Sequence, residues 1–300
     1  MANLVQQPLV MECTGWDSYR LLDSGAGRKW EAFGPHSFIR PEPQALWHPR
    51  IDSWQADGEF IPGSDEDGGG RWQFAGRLPD EGWELQWNEV RFTARPTPFR
   101  HLQFFPDMAP VWDWMRGQLG DMTEAETLNL FGYTGLGSLA LSRHGKVTHV
   151  DASKKSVAQA RQNSALSGME DRSIRWLTDD AAKFTAREVR RERRYDGIIL
   201  DPPKFGRGPD GEVWRLEEHL PGLVTDCAQL LDANSRFLFL TVYAVRMSSL
   251  AIAGLLEEAL GALPGTIEHG DLAVREEGAN GSGAGRLLPT AIFARWSNPV

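Results

Sequence analysis

The residues best suited to catalysis follow the end of a short apolar segment. Residues 195–200 predict a buried strand, and Asp201-Pro202-Pro203-Lys204-Phe205 follows it directly. Proline has no N–H to donate to a neighbouring strand, so the strand must end there. The motif therefore presents a carboxylate, rigid backbone carbonyls and an aromatic face together. This combination suits an amino group carried on a flat ring.

A glycine-rich turn lies about 70 residues upstream, after another predicted strand at residues 127–131. The turn contains Gly132, Gly135 and Gly137, which is not the Gly-x-Gly-x-x-Gly spacing of dinucleotide-binding proteins. Asp151 ends the second predicted strand, where an acid can accept hydrogen bonds from both hydroxyls of a ribose. The start of a helix predicted at 135–143 offers free N–H groups to a carboxylate.

A third acidic position follows the third predicted strand, in Asp179-Asp180-Ala181. An acid there can accept from the amino group of adenine, although Asp180 is equally suited to cap the helix predicted at 180–193. The spacing does not distinguish Asp179 from Asp180 as the adenine contact. Together with the glycine turn and Asp151, these acids predict a site for S-adenosylmethionine and therefore methyl transfer.

The elements that must position these residues fall into two kinds. The first 100 residues hold seven of the twelve tryptophans among short β-prone segments, and we expect those rings mainly to fill a core. A helix is predicted at 107–119, and from Thr127 strands and helices alternate, which is typical of a parallel sheet covered on both faces. The predicted fold class is α/β: a doubly wound, seven-stranded, mostly parallel, Rossmann-like sheet with a smaller N-terminal β-rich domain. The predicted domains are residues 1–105 (β-rich), 106–126 (helical connector) and 127–300 (S-adenosylmethionine-binding).

The order of these motifs resembles class I S-adenosylmethionine-dependent methyltransferases. Within them it is similar to the bacterial large-subunit ribosomal RNA methyltransferases that carry Asp-Pro-Pro-Lys-Phe. The matching pieces are Leu-Asn-Leu-Phe-Gly-Tyr-Thr-Gly, Val-Asp-Ala-Ser, Ala-Arg-Gln-Asn, Asp-Asp-Ala and Asp-Pro-Pro-Lys-Phe, from residue 128 to 205.

The resemblance implies a role for each matching position. The methionine end of the cofactor would lie on Phe131, Gly132, Thr134 and Gly135. The ribose would contact Asp151, Ala152 and Ser153, and the adenine would contact Asp180 and Ala181. Residues 100–106, with Phe105, resemble the segment that covers the cofactor in this family.

Asp201, Pro202 and Phe205 are the candidate catalytic residues, and Asp201 is assigned to the cofactor site as well. For an exocyclic amine, Asp201 and the Pro202 carbonyl would accept the two amino hydrogens. Phe205 would stack on a base taken out of its stack. Family members that methylate carbon 5 of cytosine carry a cysteine after the fifth strand, whereas residues 239–244 contain none. Methylation at nitrogen is therefore favoured.

Composition limits the alternatives. The net charge of −9 argues against coating nucleic acid through bulk positive charge, but it leaves room for a local basic patch. Two cysteines and seven scattered histidines predict no metal site. The absence of a leader-like or membrane-spanning segment predicts a cytoplasmic protein.

The arginine cluster at residues 187–194 and the acceptor of the methyl group leave more than one interpretation open. The cluster is interpreted first as a solvated helix face with ion pairs, and otherwise as a phosphate-binding patch. RNA, with ribosomal RNA favoured, is the first predicted substrate. A protein side chain or a small molecule is the alternative acceptor, and a non-catalytic nucleotide-binding module is the alternative from another class.

Overall fold

The computed structural model describes residues 1–63, 69–243, 246–278 and 285–298. The chain divides into two compact units. The first unit comprises Met1–Met11, Val111–Leu272 and Ala291–Val300, and the second comprises Glu12–Pro110 and Ala273–Thr290. The domain boundaries at residues 105/106 and 126/127 stay a prediction, because compactness alone does not define an independently folding domain.

The described elements are numbered in chain order. The strands are β1 (Asn3–Leu4), β2 (Leu9–Cys13), β3 (Tyr19–Gly25), β4 (Arg28–Phe33), β5 (His36–Pro41), β6 (Gly58–Pro62), β7 (Gly70–Phe74), β8 (Trp83–Trp87), β9 (Val90–Ala94), β10 (Ala125–Leu130), β11 (Gly145–Asp151), β12 (Ile174–Thr178), β13 (Gly197–Leu200), β14 (Phe205–Arg207), β15 (Val213–Arg215), β16 (Phe237–Tyr243), β17 (Thr266–Arg275) and β18 (Leu287–Ser297). The α-helices are α1 (Ala109–Leu119), α2 (Leu136–Leu141), α3 (Lys154–Leu166), α4 (Ala181–Arg190), α5 (Leu216–Gln229) and α6 (Ser249–Leu260).

The large sheet has the predicted architecture. Its seven principal strands lie in the order β12-β11-β10-β13-β16-β18-β17, and the short strands β1 and β2 both pair with β17. The strands from β12 to β16 are parallel, whereas β18 runs antiparallel to β16 with Leu240 opposite Ala294. The order reverses at β10, which is the point at which doubly wound sheets bind ligands beyond their carboxyl ends.

Register places the motif-bearing strand ends side by side. Leu130, the last residue of β10, lies opposite Val150 on one side and Leu200 on the other. Asp151 and Asp201 each follow those partners, so they flank the end of β10, about 10 Å apart across two strand spacings. The glycine turn, Asp151 and Asp201 therefore lie at one edge of the sheet.

The core of this sheet is built from continuous apolar strands, as expected where both faces are covered. Leu128, Ile198 and Leu238 are fully buried, and they belong to a cluster that also includes Phe184 of α4 and Leu223 of α5. Burial of each large apolar side chain contributes about 1.5–3 kcal/mol, which holds the strand ends at fixed positions.

Tryptophans fill the second unit, as predicted. None of the seven in the first 100 residues is exposed. Five of them donate the indole N–H to an oxygen of the same unit, for example Trp83 to the Phe33 carbonyl at 2.9 Å. Their rings and nitrogens are thus used internally rather than as stacking platforms for bases.

Several predicted boundaries need correction. The predicted helix at 180–193 ends at Arg190, and the predicted strand at 195–200 is limited to residues 197–200. Residues 205–215 contain a small hairpin of β14 and β15 that no pattern in the sequence predicted. Its strands have three residues each, which is too short to show a period of two in the sequence.

No described helix is both long and apolar enough to cross a bilayer.

Candidate active site

The glycine turn after β10 is held in an unusual backbone conformation. Phe131 and Tyr133 have φ of 57° and 48°, and Gly135 has φ of 86°, all in the left-handed region. The Gly132 N–H donates to the Val150 carbonyl at 3.0 Å, and the Gly135 N–H donates to the Gly132 carbonyl at 3.0 Å. Non-glycine residues at positive φ cost free energy, so the surrounding contacts must hold this turn in place.

One of those contacts comes from His149, which the sequence analysis did not select. A Cβ added at Gly132 would lie 2.5 Å from both Cε1 and Nδ1 of the His149 ring, so only glycine fits there. His149 has no exposed surface and its ring centroid lies 4.8 Å from that of Trp176. The glycine turn therefore packs directly against the His149 imidazole.

A chain of hydrogen bonds fixes that imidazole. Asn129 Nδ2 donates to Ser138 Oγ at 2.9 Å, and Ser138 Oγ lies 3.0 Å from His149 Nδ1. With its oxygen accepting from Asn129, the serine hydroxyl donates to Nδ1, which requires a neutral ring. Burial lowers the pKa of His149 to about 3, with a smaller effect from Arg161. The ring is thus uncharged at neutral pH.

Asp151 is oriented by two backbone donors. The Tyr133 N–H donates to Oδ2 at 2.9 Å, and the Ser153 N–H donates to Oδ1 at 2.8 Å. Burial raises the pKa of Asp151, while these two hydrogen bonds act in the opposite direction. Each carboxylate oxygen retains a lone pair, which fits two ribose hydroxyls. Ala152 is half-buried and Ser153 caps α3 by accepting from the Ser156 N–H at 3.2 Å.

Helix α3 also fixes the far end of the glycine turn. The Asn163 Nδ2 donates to the Thr134 carbonyl at 2.9 Å, and Gln159 Nε2 donates to Asn163 Oδ1 at 3.1 Å. Thr134 itself is buried. Gly135 lies close to both Ala160 and Trp176, since an added Cβ would lie 2.7 Å from the alanine Cβ and 3.1 Å from the indole.

The two acids after β12 have different partners. Asp179 forms an ion pair with Arg187 of α4. Asp180 caps α4, because its Oδ1 accepts from the Lys183 N–H at 2.9 Å. The capping alternative for Asp180 is therefore confirmed, while its second oxygen is not used by the cap. Ala181, the first residue of α4, is buried.

Asp201 is positioned by a residue that the sequence analysis passed over. The Thr241 hydroxyl, on the neighbouring strand β16, donates to Asp201 Oδ1. Thr241 is fully buried and Asp201 is half-buried, so one carboxylate oxygen is anchored inside the sheet edge.

The last three residues of the motif are exposed, whereas its first proline is not. Pro202 is buried, whereas Pro203 and Lys204 are exposed and Phe205 is 49% exposed. The Pro203 carbonyl accepts from Trp214 Nε1 at 2.7 Å, and the Trp214 ring lies 5.0 Å from that of Phe131. Trp214 therefore ties the Asp201 motif to the glycine turn.

Phe105 lies in the second unit, where it precedes a short 3₁₀ helix at Pro106–Met108. Its ring is half-buried and its centroid lies 5.5 Å from that of His101. Its predicted place over the cofactor stays a prediction.

Neither cysteine thiol has the properties of a nucleophile that attacks a pyrimidine. Cys227 is fully buried in α5, and burial raises the pKa of its thiol well above the ordinary value. Cys13, in the second unit, donates to the Pro106 carbonyl at 3.1 Å, and burial raises its pKa as well. A thiol held protonated in this way is a poor nucleophile.

The arginine cluster is largely engaged in ion pairs. Arg191 pairs with Glu188 at 2.9 Å, and Arg193 pairs with Glu126 at 2.5 Å. Across the described ranges, no group of three or more His, Cys, Asp or Glu side chains is arranged to hold a metal ion.

Comparison with known proteins agrees with this geometry. The family model described as "Conserved hypothetical protein 95" matches residues 100–209. A crystal structure of a SAM-dependent methyltransferase from Agrobacterium tumefaciens is 40% identical, covers 99% of this chain and 95% of its own, and superposes with a TM-score of 0.92. A SAM-dependent methyltransferase structure from Streptococcus mutans covers 94% of this chain and 76% of its own with a TM-score of 0.68. At 15% identity it supports the fold alone.

The chain belongs to the S-adenosylmethionine-dependent methyltransferases, and its cofactor is S-adenosylmethionine. The curated relatives include ribosomal RNA large subunit methyltransferase I of Alteromonas mediterranea, 38% identical over 27% of this chain. The protein of the same name from Aeromonas salmonicida is 30% identical over 44% of this chain. The aligned stretches span only 21% and 31% of those two relatives. The family resemblance predicted from the motifs is thus confirmed.

Proposed function

We propose that this protein methylates an exocyclic amino nitrogen of a base in RNA, with ribosomal RNA the favoured substrate, in the cytoplasm. The observation that carries the proposal is the Asp201 motif. An anchored carboxylate and an aromatic ring that is 49% exposed lie together at the strand edge where the predicted cofactor-binding residues also lie.

The cofactor residues fit S-adenosylmethionine. Asp151 presents two oriented carboxylate oxygens beside the glycine turn, which suits a ribose. The turn over residues 131–135 would hold the methionine end. Asp180, with its second oxygen, and Ala181 would face the adenine. When bound, the cofactor supplies an electrophilic methyl group on a sulfonium centre.

The Asp201 motif would prepare the acceptor amine. With Oδ1 of Asp201 fixed by Thr241, Oδ2 would accept one amino hydrogen and the Pro202 carbonyl would accept the other. These two hydrogen bonds would turn the nitrogen lone pair out of conjugation with the ring. The nitrogen lone pair would form a bond to the methyl carbon as the methyl–sulfur bond breaks, which would release S-adenosylhomocysteine as the neutral thioether. Asp201 would accept the proton that the nitrogen loses, before it passes to water.

Nitrogen is favoured over carbon 5 of a pyrimidine because of the thiols. Attack on carbon 6 needs a thiolate close to the base. Cys227 is fully buried in the core, where its thiol is held protonated. Phe205, half-exposed at the sheet edge, favours a flat acceptor ring.

RNA is supported by the curated relatives, whose names specify the large-subunit ribosomal RNA. The test is transfer of tritium from labelled S-adenosylmethionine to ribosomal subunits, total RNA and a protein extract. Asp201→Asn keeps the shape but removes the charge, and it should reduce transfer at least 100-fold with cofactor affinity changed less than 3-fold. Asp171→Asn, at an exposed aspartate before β12, is the matched control and should leave transfer unchanged.

Digestion of labelled RNA to nucleosides would then distinguish the nitrogen from carbon 5. Label in protein or metabolites but not in RNA, with Asp201 still required, would refute the RNA substrate. Full activity in Asp201→Asn would refute the assigned role of the motif.

A further inference from the structure

The hairpin of β14 and β15 has an outward face of which the proposed reaction uses only Phe205. It begins four residues after Asp201, at the ligand-binding edge of the sheet. Phe205 pairs with Arg215, Gly206 with Trp214, and Arg207 with Val213. Since side chains alternate along a strand, the hairpin has one face with Gly206 and Trp214 and another with the remaining four residues.

The inner face is packed and the outer face is not. Trp214 is 4% exposed and is anchored by its bond to the Pro203 carbonyl. On the outer face Phe205 is 49% exposed and Val213 is 43% exposed. The outer face therefore carries two apolar side chains that are exposed to a binding partner.

The outer face is also positively charged, although the chain carries a net charge of −9. Arg207 and Arg215 are both exposed, and Lys204 precedes the hairpin. Arg215 forms an ion pair with Glu218 at 3.1 Å, but both side chains are 59% exposed, so the pair is weak. Arg207 has no ion pair with any residue that the structure describes.

The four side chains of the outer face occupy the corners of the hairpin, with the two apolar side chains at opposite corners and the two guanidinium groups at the other two. Phe205 and Val213 lie on one diagonal of the hairpin, and Arg207 and Arg215 lie on the other. Unpaired bases stack on aromatic side chains exposed by a small sheet, and arginines beside them bind the phosphates of the same strand.

We infer that the outer face of this hairpin binds single-stranded RNA on either side of the base presented to Asp201. This inference rests on the proposed function for its substrate class and names the surface that binds that substrate. Phe205 stacks on a base, while Arg207 and Arg215 contact the phosphates that flank it.

Direct binding tests the inference without catalysis. Fluorescence anisotropy with a labelled single-stranded RNA of twelve mixed nucleotides, in the presence of S-adenosylhomocysteine, gives the Kd at several salt concentrations. Arg207→Ala and Arg215→Ala should each weaken binding several-fold. Each should also lower the slope of log Kd against log salt by about 0.7. Phe205→Leu should weaken binding about 5- to 100-fold with the salt slope unchanged.

The matched control is Arg190→Ala, which removes an exposed arginine at the end of α4. It should leave both the Kd and the salt slope at wild-type values. Calorimetric affinity for S-adenosylmethionine should be unchanged in every hairpin variant, which shows that these proteins are folded.

The outcomes separate the two proposals. Hairpin variants that bind RNA like Arg190→Ala, or a wild-type protein that binds no RNA, would overturn the hairpin inference. RNA binding that depends on the hairpin, with tritium entering only protein, would leave the hairpin inference standing and refute RNA as the methylated substrate. Weaker labelling of a protein acceptor by the arginine variants, with RNA binding unaffected, would assign the surface to a protein partner instead.

Discussion

The contact between Gly132 and His149 predicts that a substitution at one position changes the stability cost of a substitution at the other. Removing the histidine ring should largely abolish the cost of enlarging Gly132. In Gly132→Ala the new methyl carbon would lie 2.5 Å from two atoms of the imidazole, about 1 Å inside ordinary van der Waals contact. The ring has little room to move, because it is fully buried, packs on Trp176 and is hydrogen-bonded to Ser138.

The cost follows from those contacts. Overpacking a well-filled site costs about 1–3 kcal/mol. Displacing the ring also weakens its hydrogen bond to Ser138, worth about 1 kcal/mol. Gly132→Ala should therefore lower the free energy of unfolding by about 2–4 kcal/mol. It should also weaken binding of S-adenosylmethionine, because Gly132 belongs to the turn proposed to hold the cofactor.

Removing the ring should remove the conflict. In a His149→Ala background the alanine at position 132 has space, so the same substitution should cost less than about 1 kcal/mol. The interaction energy of the double-mutant cycle is then about 2 kcal/mol, well above the scatter of independent sites. Urea unfolding followed by circular dichroism gives the stabilities, and calorimetry gives the cofactor affinities.

A glycine-to-alanine control is available in the same sheet unit. Gly254 lies inside α6, and a Cβ added there would meet no heavy atom within 4 Å. Gly254→Ala should stabilise the protein by about 0.5–1 kcal/mol. An equal cost of Gly132→Ala with and without the histidine would refute the steric reasoning, as would a Gly132→Ala protein as stable as the wild type.

Two further predictions concern the carboxylates. Thr241→Val removes the donor to Asp201 Oδ1 and should lower kcat about 10- to 100-fold, since a hydrogen bond to a charged group contributes about 1.5–3 kcal/mol. KM for S-adenosylmethionine should stay within about 2-fold, and an equal rise in KM would contradict this assignment. Asp151 should bind the ribose as a carboxylate, and burial raises its pKa. Cofactor affinity should therefore fall as the pH drops through that raised pKa, at a higher pH than for an ordinary aspartate. Asp151→Asn should bind more weakly with no such pH dependence, and calorimetry between pH 4 and 8 would show a retained dependence if another group were responsible.

The large sheet was predictable because its signals are long and repeated. The five parallel strands, β10 to β13 and β16, alternate with helices along the chain, so their parallel order needs only the usual connection rules. The acids and glycines could also be placed, since strand ends in a parallel sheet share one edge.

The supporting residues could not be found in the same way. Thr241 and His149 lie within strands, where a lone polar residue gives no sign of which neighbour it will contact. The hairpin of β14 and β15 has strands too short for a periodic pattern, and the inward turn of Trp214 depends on the Pro203 carbonyl. These features arise from tertiary contacts between distant residues, which a single sequence does not specify.

The position of β18 in the sheet has a consequence for how the chain acquires its structure. This strand lies between β16 and β17, although it comprises residues 287–297 and is made after both. The edge of β16 that pairs with β18 therefore stays unpaired during synthesis until residues 287–297 have been made. Pairing Asn3 with Thr266 adds a contact across more than 260 residues. Such non-local pairing slows folding and exposes apolar strand edges in the meantime. We expect slow, chaperone-sensitive folding, in which β18 completes the pairing between β16 and β17.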